Sequence, residues 1–352
     1  LLIMKNTNKE KIYTGLELKK LKKAYRKSNK KSLISKNIIP NESKGWVIVE
    51  TIIKWFIKII LLVSTPKDSW KNKNKSRELI DRTYSKFISS DSVFIPISLS
   101  FYFLVSFVPI LTVLVLLLSF ISDYSTVFID VILDRIIPGL KQIIKMPQVG
   151  PSTGFQYTTI TLLLLTSTWI GSNGWGRFIY LQNYIYGHES LGNFFINRIK
   201  GFLIVLSITL YLFIMSVIYI YFYKLFSLEF DSTSEKTFFY ITFYIYLIFV
   251  VYIGFTLLFK FSPSFKLTWN SVLPGVLIAA IPNILFISSF GFLSTQIDYK
   301  KYGTIGTFMY IALFVSSVAY FLFLGLIVNE SYYKTYYSSF TIAKNQLFRK
   351  RV

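Results

Sequence analysis

The sequence predicts an all-α fold: a polytopic membrane helix bundle of six transmembrane helices, with amphipathic helices at the interface. Three observations predict it. Hydrophobic residues make up 53% of the 352-residue chain and charged residues only 16%, well short of the roughly 25% of a soluble domain. The apolar residues gather in six long runs, and the basic residues gather in alternate connections between them. A single core of this size cannot hide so much apolar surface from water, whereas a bilayer solvates it.

The chain opens with a basic, polar arm. Residues 1–92 hold 22 Lys and Arg against 8 Asp and Glu, out of 39 and 17 in the whole chain. Leu1–Met4 is too short an apolar start for a cleavable signal. Residues 1–45 have few apolar side chains and are expected to be a partly disordered cytoplasmic arm. Residues 46–92 are expected to form an amphipathic, juxtamembrane cytoplasmic segment. Within it, Trp46–Val63 carries Glu50, Lys54 and Lys58 four residues apart on one face, with Val, Ile, Trp and Phe on the others. That pattern predicts a helix lying on the membrane surface rather than a seventh span.

The six runs set the transmembrane domain at 93–328. They are Val93–Ile121, Phe155–Leu181, Gly201–Tyr223, Phe238–Phe259, Ser271–Ile297 and Gly303–Val328, each long enough for the ~20 residues a span requires. Between the first two, Asp123–Ile137 places Asp123, Asp130 and Asp134 opposite Val127, Phe128, Val131 and Ile132. This is a second amphipathic segment, stopped by Pro138-Gly139. Residues 329–352 form a basic tail expected in the cytoplasm. Arg198, Lys200, Lys260, Lys266, Lys334 and Lys344 lie on the side of the arm, and the opposite loops are neutral or acidic apart from Lys300 and Lys301. The positive-inside bias therefore predicts a multi-pass protein of the cell membrane with both termini cytoplasmic.

Polar residues inside the spans are the candidate functional residues, because polar groups in hydrocarbon are costly and face protein or a water-filled groove. Ser98, Tyr102, Ser106 and Pro109 share a face of the first span. Asn173 and Arg177 share a face of the second with Thr166, beside the three glycines of GSNGWGR. The fifth span begins with WNSVLPG, which supplies Asn270, Pro274 and Gly275, and carries Asn283 after Pro282. Gly275 and Ala279 form a small-xxx-small pair suited to close packing. Broken helices around midplane polar groups are how many transporters build sites. Each of these residues also has a plain packing role open to it.

Several chemistries are disfavoured. There is no cysteine, so disulfides and thiolate chemistry are excluded. The one histidine, His188, stands beside Glu189 in a short loop, a pair more often solvated than metal-bound. No GxxxxGK[ST], HExxH or GxSxG pattern occurs. No cofactor or metal is expected, and the chain is not expected to be an enzyme. No dense carboxylate cluster supports ion coupling.

Six segments resemble the YihY/BrkB family of membrane proteins in the family's order. SLSFYFLVSFVPIL is similar to its first-span signature at Ser98, Leu99, Tyr102, Leu104, Ser106 and Pro109. IIPGL, LQNYIYG (Leu181–Gly187), WNSVLPGVLIAA (Trp269–Ala280), Tyr302-Gly303-Thr304 and LGLIVNE follow. The likeness covers about residues 80–332. One departure stands out: the glutamate of the family's last motif falls on Ile327, and Glu330 lies one residue past Asn329. The resemblance implies a six-span protein of the cytoplasmic membrane that moves or distributes lipids, and it adds Tyr302 and Gly303 to the candidate groove. The ribonuclease label once attached to the family is a mistaken one, in keeping with the missing acid–base and metal groups. The expected partners are membrane lipids, with anionic lipids at the basic arm at ~1 kcal/mol per well-placed cation. The alternative is a non-transporting scaffold that binds a protein partner through the arm. No nucleic acid is expected.

Overall fold

The computed structural model describes residues 2–4, 11–13, 20, 23, 44–121, 124–133, 136–137, 154–227, 232–296 and 303–344. It divides into two compact units, Leu1–Ile53 and Lys54–Val352. In the first, two three-residue strands, β1 (Leu2–Met4) and β2 (Lys11–Tyr13), pair antiparallel with Ile3 opposite Ile12. The rest of the expected arm lies largely outside the described residues. Helix α1 (Lys44–Ser64) matches the segment expected at the membrane surface. Trp55, Phe56, Ile59, Ile60, Leu62 and Val63 on it are exposed, while Leu61 is buried.

The second unit is the bundle, built from α2 (Lys73–Ile88), α3 (Asp91–Ser119), α5 (Gly154–Ile185), α6 (Phe194–Ser227), α7 (Ser232–Phe261), α8 (Trp269–Gln296) and α9 (Gly303–Tyr336). A short α4 (Tyr124–Val127) continues as a π-helical turn, Phe128–Leu133. Apart from β1 and β2, the described residues thus form an all-α membrane helix bundle. Among the described residues, five helices are long and apolar enough to cross a membrane: α3, α6, α7, α8 and α9. The expected count of six therefore needs one correction. The second run is one continuous helix, α5, but it is not among the five. Thr161, Thr166, Ser167, Thr168, Ser172, Asn173 and Arg177 dilute its apolarity.

Layering follows burial. Half of the apolar stretch of α3, α8 and α9 is buried, against 17% of that of α7. From Ile110 to Leu118 almost every α3 side chain is inside. Thus α3 and α9 form the middle of the bundle and α7 its rim. Phe103, Trp175, Phe178 and Phe259 carry an aromatic core across α3, α5 and α7, with successive ring centroids 4.7, 5.7 and 6.5 Å apart. The amphipathic segment after α3 is packed rather than splayed on a surface: Phe128, Ile129, Ile132 and Leu133 are buried and Asp130 is exposed. Asp123, Asp134 and Pro138-Gly139 lie outside the described residues.

Two seams show why small residues sit where they do. A Cβ on Gly174 would lie 2.5 Å from Ser106 Oγ and 2.8 Å from the Tyr102 carbonyl, so α5 packs backbone to backbone on α3. A Cβ on Gly275 would lie 2.0 Å from the Gly325 carbonyl, and one on Gly325 would lie 2.5 Å from that of Gly275. Helices α8 and α9 therefore touch through paired glycines, as small-residue interfaces in membranes do. Pro274 removes one backbone donor from α8, and the next N–H, of Gly275, donates to Asn329 Oδ1 at 2.6 Å.

One end of the bundle collects the loops. Helix α5 stops where Gly187 takes a left-handed φ of 61° and His188 N–H donates to the Asn183 carbonyl, a common helix-ending geometry. The 262–268 loop after α7 folds beside that turn: Ser262 donates to Gln182 Oε1, and Ser264 N–H donates to Asn183 Oδ1. Helix α9 runs past Val328 to Tyr336 at this end, with Asn329, Glu330, Ser331, Tyr332 and Tyr333 all buried.

Candidate functional site

The sequence-derived candidates fall at three places. On the α3–α5 seam, Ser106 is buried, and its Oγ lies 2.8 Å from the carbonyls of both Tyr102 and Gly171. Tyr102 is half-buried, with the exposed Arg177 guanidinium 5.4 Å from its ring centroid and 5.5 Å from that of Phe194. Asn173 and Pro109 are half-buried at the same seam, while Ser98 points outward. On the α8–α9 seam, Pro274, Gly275 and Asn283 are buried and Asn270 is exposed. Asn283 Nδ2 donates to the Ala279 carbonyl, and its buried Oδ1 has no partner. Gly303 opens α9, and Tyr302 lies outside the described residues. Tyr102, Ser106 and Arg177 are brought together, with Asn173 half-buried on the same helix as Arg177; Asn270, Pro274, Gly275 and Asn283 form a separate group on α8.

Two features escaped the spacing of residues in the sequence. The first is a groove of about 390 Å³ on the outer face of the bundle between α3 and α9. Pro96, Ile97, Phe101, Leu104 and Ala312 make it apolar, and Ser100, Ser316 and Tyr320 supply three hydroxyls. Ser100 already donates to the Pro96 carbonyl at 2.6 Å. The only signal in the sequence was Ser100, set two positions from the Ser98 stripe.

The second is an ion cluster at the loop-bearing end. Glu330 is fully buried, 3.2 Å from Lys86 Nζ of α2 through one oxygen and 3.2 Å from Lys334 Nζ through the other. Lys86 also donates to the Ile185 carbonyl at 2.8 Å. Burial pulls the Lys86 ammonium below the usual lysine range, and the attraction of Glu330 acts against that pull. Tyr186 is held well above the usual phenol range, first by burial and then by the Glu330 and Tyr333 side chains. Among the described residues its hydroxyl has no hydrogen-bond partner, nor does Asn329 Nδ2. The carboxylate missing at Ile327 thus has a neighbour in sequence, Glu330, that is ion-paired inside the protein. His188 nearby is half of a contact with Thr341 Oγ1 at 2.7 Å, and burial lowers its pKa. Among the described residues, no three of His, Asp and Glu gather as metal ligands would.

Long apolar helices around a packed polar seam define a multi-pass membrane helix bundle. The model of the family described as virulence factor BrkB matches residues 83–347. The chain belongs to that family. No curated protein and no solved structure matches it.

Proposed function

We propose that this BrkB-family protein moves or redistributes a lipid, or a similar amphiphile, within the cytoplasmic membrane, and that it does so without enzymatic chemistry or a cofactor. The observation that carries this reading is the α3–α9 groove. Its wall is apolar enough to hold an acyl chain, yet three hydroxyls sit along it at a depth where polar groups are costly. Hydroxyls at that depth lower the cost of passing a headgroup. Arg177, exposed beside Tyr102 and Phe194, is placed to meet an anionic group on the same side of the bundle as the first span. The termini face the cytoplasm in this reading, because the basic connections cluster at their end, and the arm lies on anionic lipid.

The test is lipid movement in proteoliposomes with a fluorescent phospholipid. Ala312→Trp fills the groove and should cut flux at least tenfold. Ser98, Tyr102 and Ser106 replaced together by Leu tests the sequence-derived stripe in the same assay. Wild-type protein that moves no lipid, or unchanged flux in both variants, would refute the reading.

A further inference from the structure

Three lysines from three separate elements converge at the loop-bearing end. Lys200 lies near the start of α6, Lys260 in the last turn of α7, and Lys344 in the segment after α9. That segment is fixed against the 262–268 loop. Phe265 bridges Ala343, Lys266 N–H donates to the Ile342 carbonyl at 2.7 Å, and Lys344 N–H donates to that of Ser264 at 3.0 Å. The backbone of Lys344 is therefore held beside the 262–268 loop.

The 260–267 stretch links them: Lys200 reaches the Ser264 side chain, Lys344 reaches the Ser264 carbonyl through its N–H and the Lys260 carbonyl through its Nζ. Lys200 Nζ and Asn183 Nδ2 each lie 3.1 Å from Ser264 Oγ and donate to it. Asn183 is oriented by Ser264 N–H, which needs the amide oxygen as acceptor. With two donors on its oxygen, the Ser264 hydroxyl has its own hydrogen left to give, and no acceptor for it stands among the described residues. Lys344 Nζ donates to the carbonyls of Lys260 and Phe261 at 3.2 and 2.9 Å, and Lys260 Nζ donates to that of Leu267. One cation at the carbonyl end of a helix is ordinary. Three are more than the helix end can balance. None of the three has a carboxylate within ion-pair distance among the described residues, in contrast to Lys86 and Lys334. Burial, then Lys260, then Lys200 bring Lys344 down to about 8. The cluster carries uncompensated positive charge and unspent donors.

The surroundings say which anion fits. Lys260 Nζ sits 5.2 Å from the Trp269 ring centroid, and Phe261 meets Trp269 edge-on at 5.8 Å. Both rings are exposed, Phe261 at 60% and Trp269 at 48%. An exposed tryptophan at the end of membrane helices marks headgroup depth. Clustered ammonium groups suit tetrahedral phosphate oxygens.

We infer that Lys200, Lys260, Lys344 and the Ser264 hydroxyl form a binding site for a phosphate group, presented by the headgroup of an anionic lipid. The site does not depend on lipid movement. A protein that binds phosphate here but moves no lipid would refute the proposed function and leave this site standing.

The experiment titrates the full-length, detergent-solubilised protein with short-chain phosphatidic acid, and separately with inorganic phosphate, by isothermal calorimetry or native mass spectrometry. Lys200→Gln and Lys344→Gln should each weaken phosphatidic acid binding at least tenfold. Lys224→Gln, which removes a cation in the last turn of α6, at the other end of the helix that carries Lys200, should leave it unchanged. Ser264→Ala keeps every charge and should weaken binding about threefold to tenfold, which decides the matter if a lysine variant fails to fold. Tighter binding of phosphatidic acid than of phosphate assigns the site to a lipid headgroup. Equal binding assigns it to phosphate in solution. Wild-type affinity in Ser264→Ala, or a lysine effect no larger than that of Lys224→Gln, overturns the site.

Discussion

Two lysine clusters flank the turn at Asn183–His188, and they are opposites. In one, Lys86 and Lys334 close on the buried carboxylate of Glu330, each at 3.2 Å. In the other, Lys200 donates to the Ser264 hydroxyl, while Lys260 and Lys344 donate to backbone carbonyls of the 260–267 stretch. The first is paired within the protein: both lysines reach one buried carboxylate, and it ties α2 to α9. The second is left open. A cation cluster that costs free energy without an internal partner is sensibly explained by an external one, whereas a paired cluster is explained by the fold. The difference teaches where to look for structure and where to look for binding.

The largest effect expected is on the closed cluster. Glu330→Gln leaves two ammonium groups facing a neutral amide and should cost on the order of 3 kcal/mol, since breaking a buried pair strands its partner. Thermal unfolding in detergent reads this directly. A wild-type midpoint would erase the contrast between the clusters. Next comes the scaffold beneath it. Gly275→Ala drives a methyl into the Gly325 carbonyl and Asn329 and should cost about 1–3 kcal/mol, the usual penalty of overpacking. A tolerated alanine would mean that the α8–α9 contact is looser than its distances state.

The smallest effect belongs to the open cluster, and its sign is opposite. Lys344 titrates near 8 in the folded protein and in the ordinary lysine range when unfolded. Below about 8 both states hold the proton, and the folded state bears the penalty of its burial and, after that, of Lys260 and Lys200 facing it. Between about 8 and the ordinary lysine value the unfolded chain binds more protons, so stability rises with pH across that window. Lys344→Gln should flatten the rise. Phosphate affinity should run the other way and decline above about pH 8, as the ammonium is lost. Affinity that is level from pH 7 to 10 would separate Lys344 from the anion.

The bundle was legible in the sequence because hydropathy is additive along the chain. A run such as Val93–Ile121 needs no partner to declare itself. The glycines of GSNGWGR were also legible as close-contact residues, and Gly174 against Ser106 is such a contact. The second span was overcounted because its hydroxyls were weighed as site candidates and not as a loss of apolarity. The clusters were illegible for a different reason. Lys86 and Glu330, or Lys200, Ser264 and Lys344, stand far apart in the chain. Only the folding of the 262–268 loop onto the segment after α9 joins the latter three. Charge read along the chain assigns these lysines a side of the membrane but no neighbours. Similarly, the Ser98 stripe obeyed helical spacing, yet spacing does not say which helix covers which face.

The paired glycines at 275 and 325 have a mechanical consequence. With carbonyl against α-carbon, α8 and α9 can neither slide nor roll past each other by a fraction of a turn without collision. They behave as a single stiff lever. Any rearrangement that opens the α3–α9 groove must therefore carry α8 along with α9, and must draw its compliance from the rim helices, where α7 is mostly bare of protein neighbours. Motion in this molecule is expected to be a swing of one joined pair against a yielding edge.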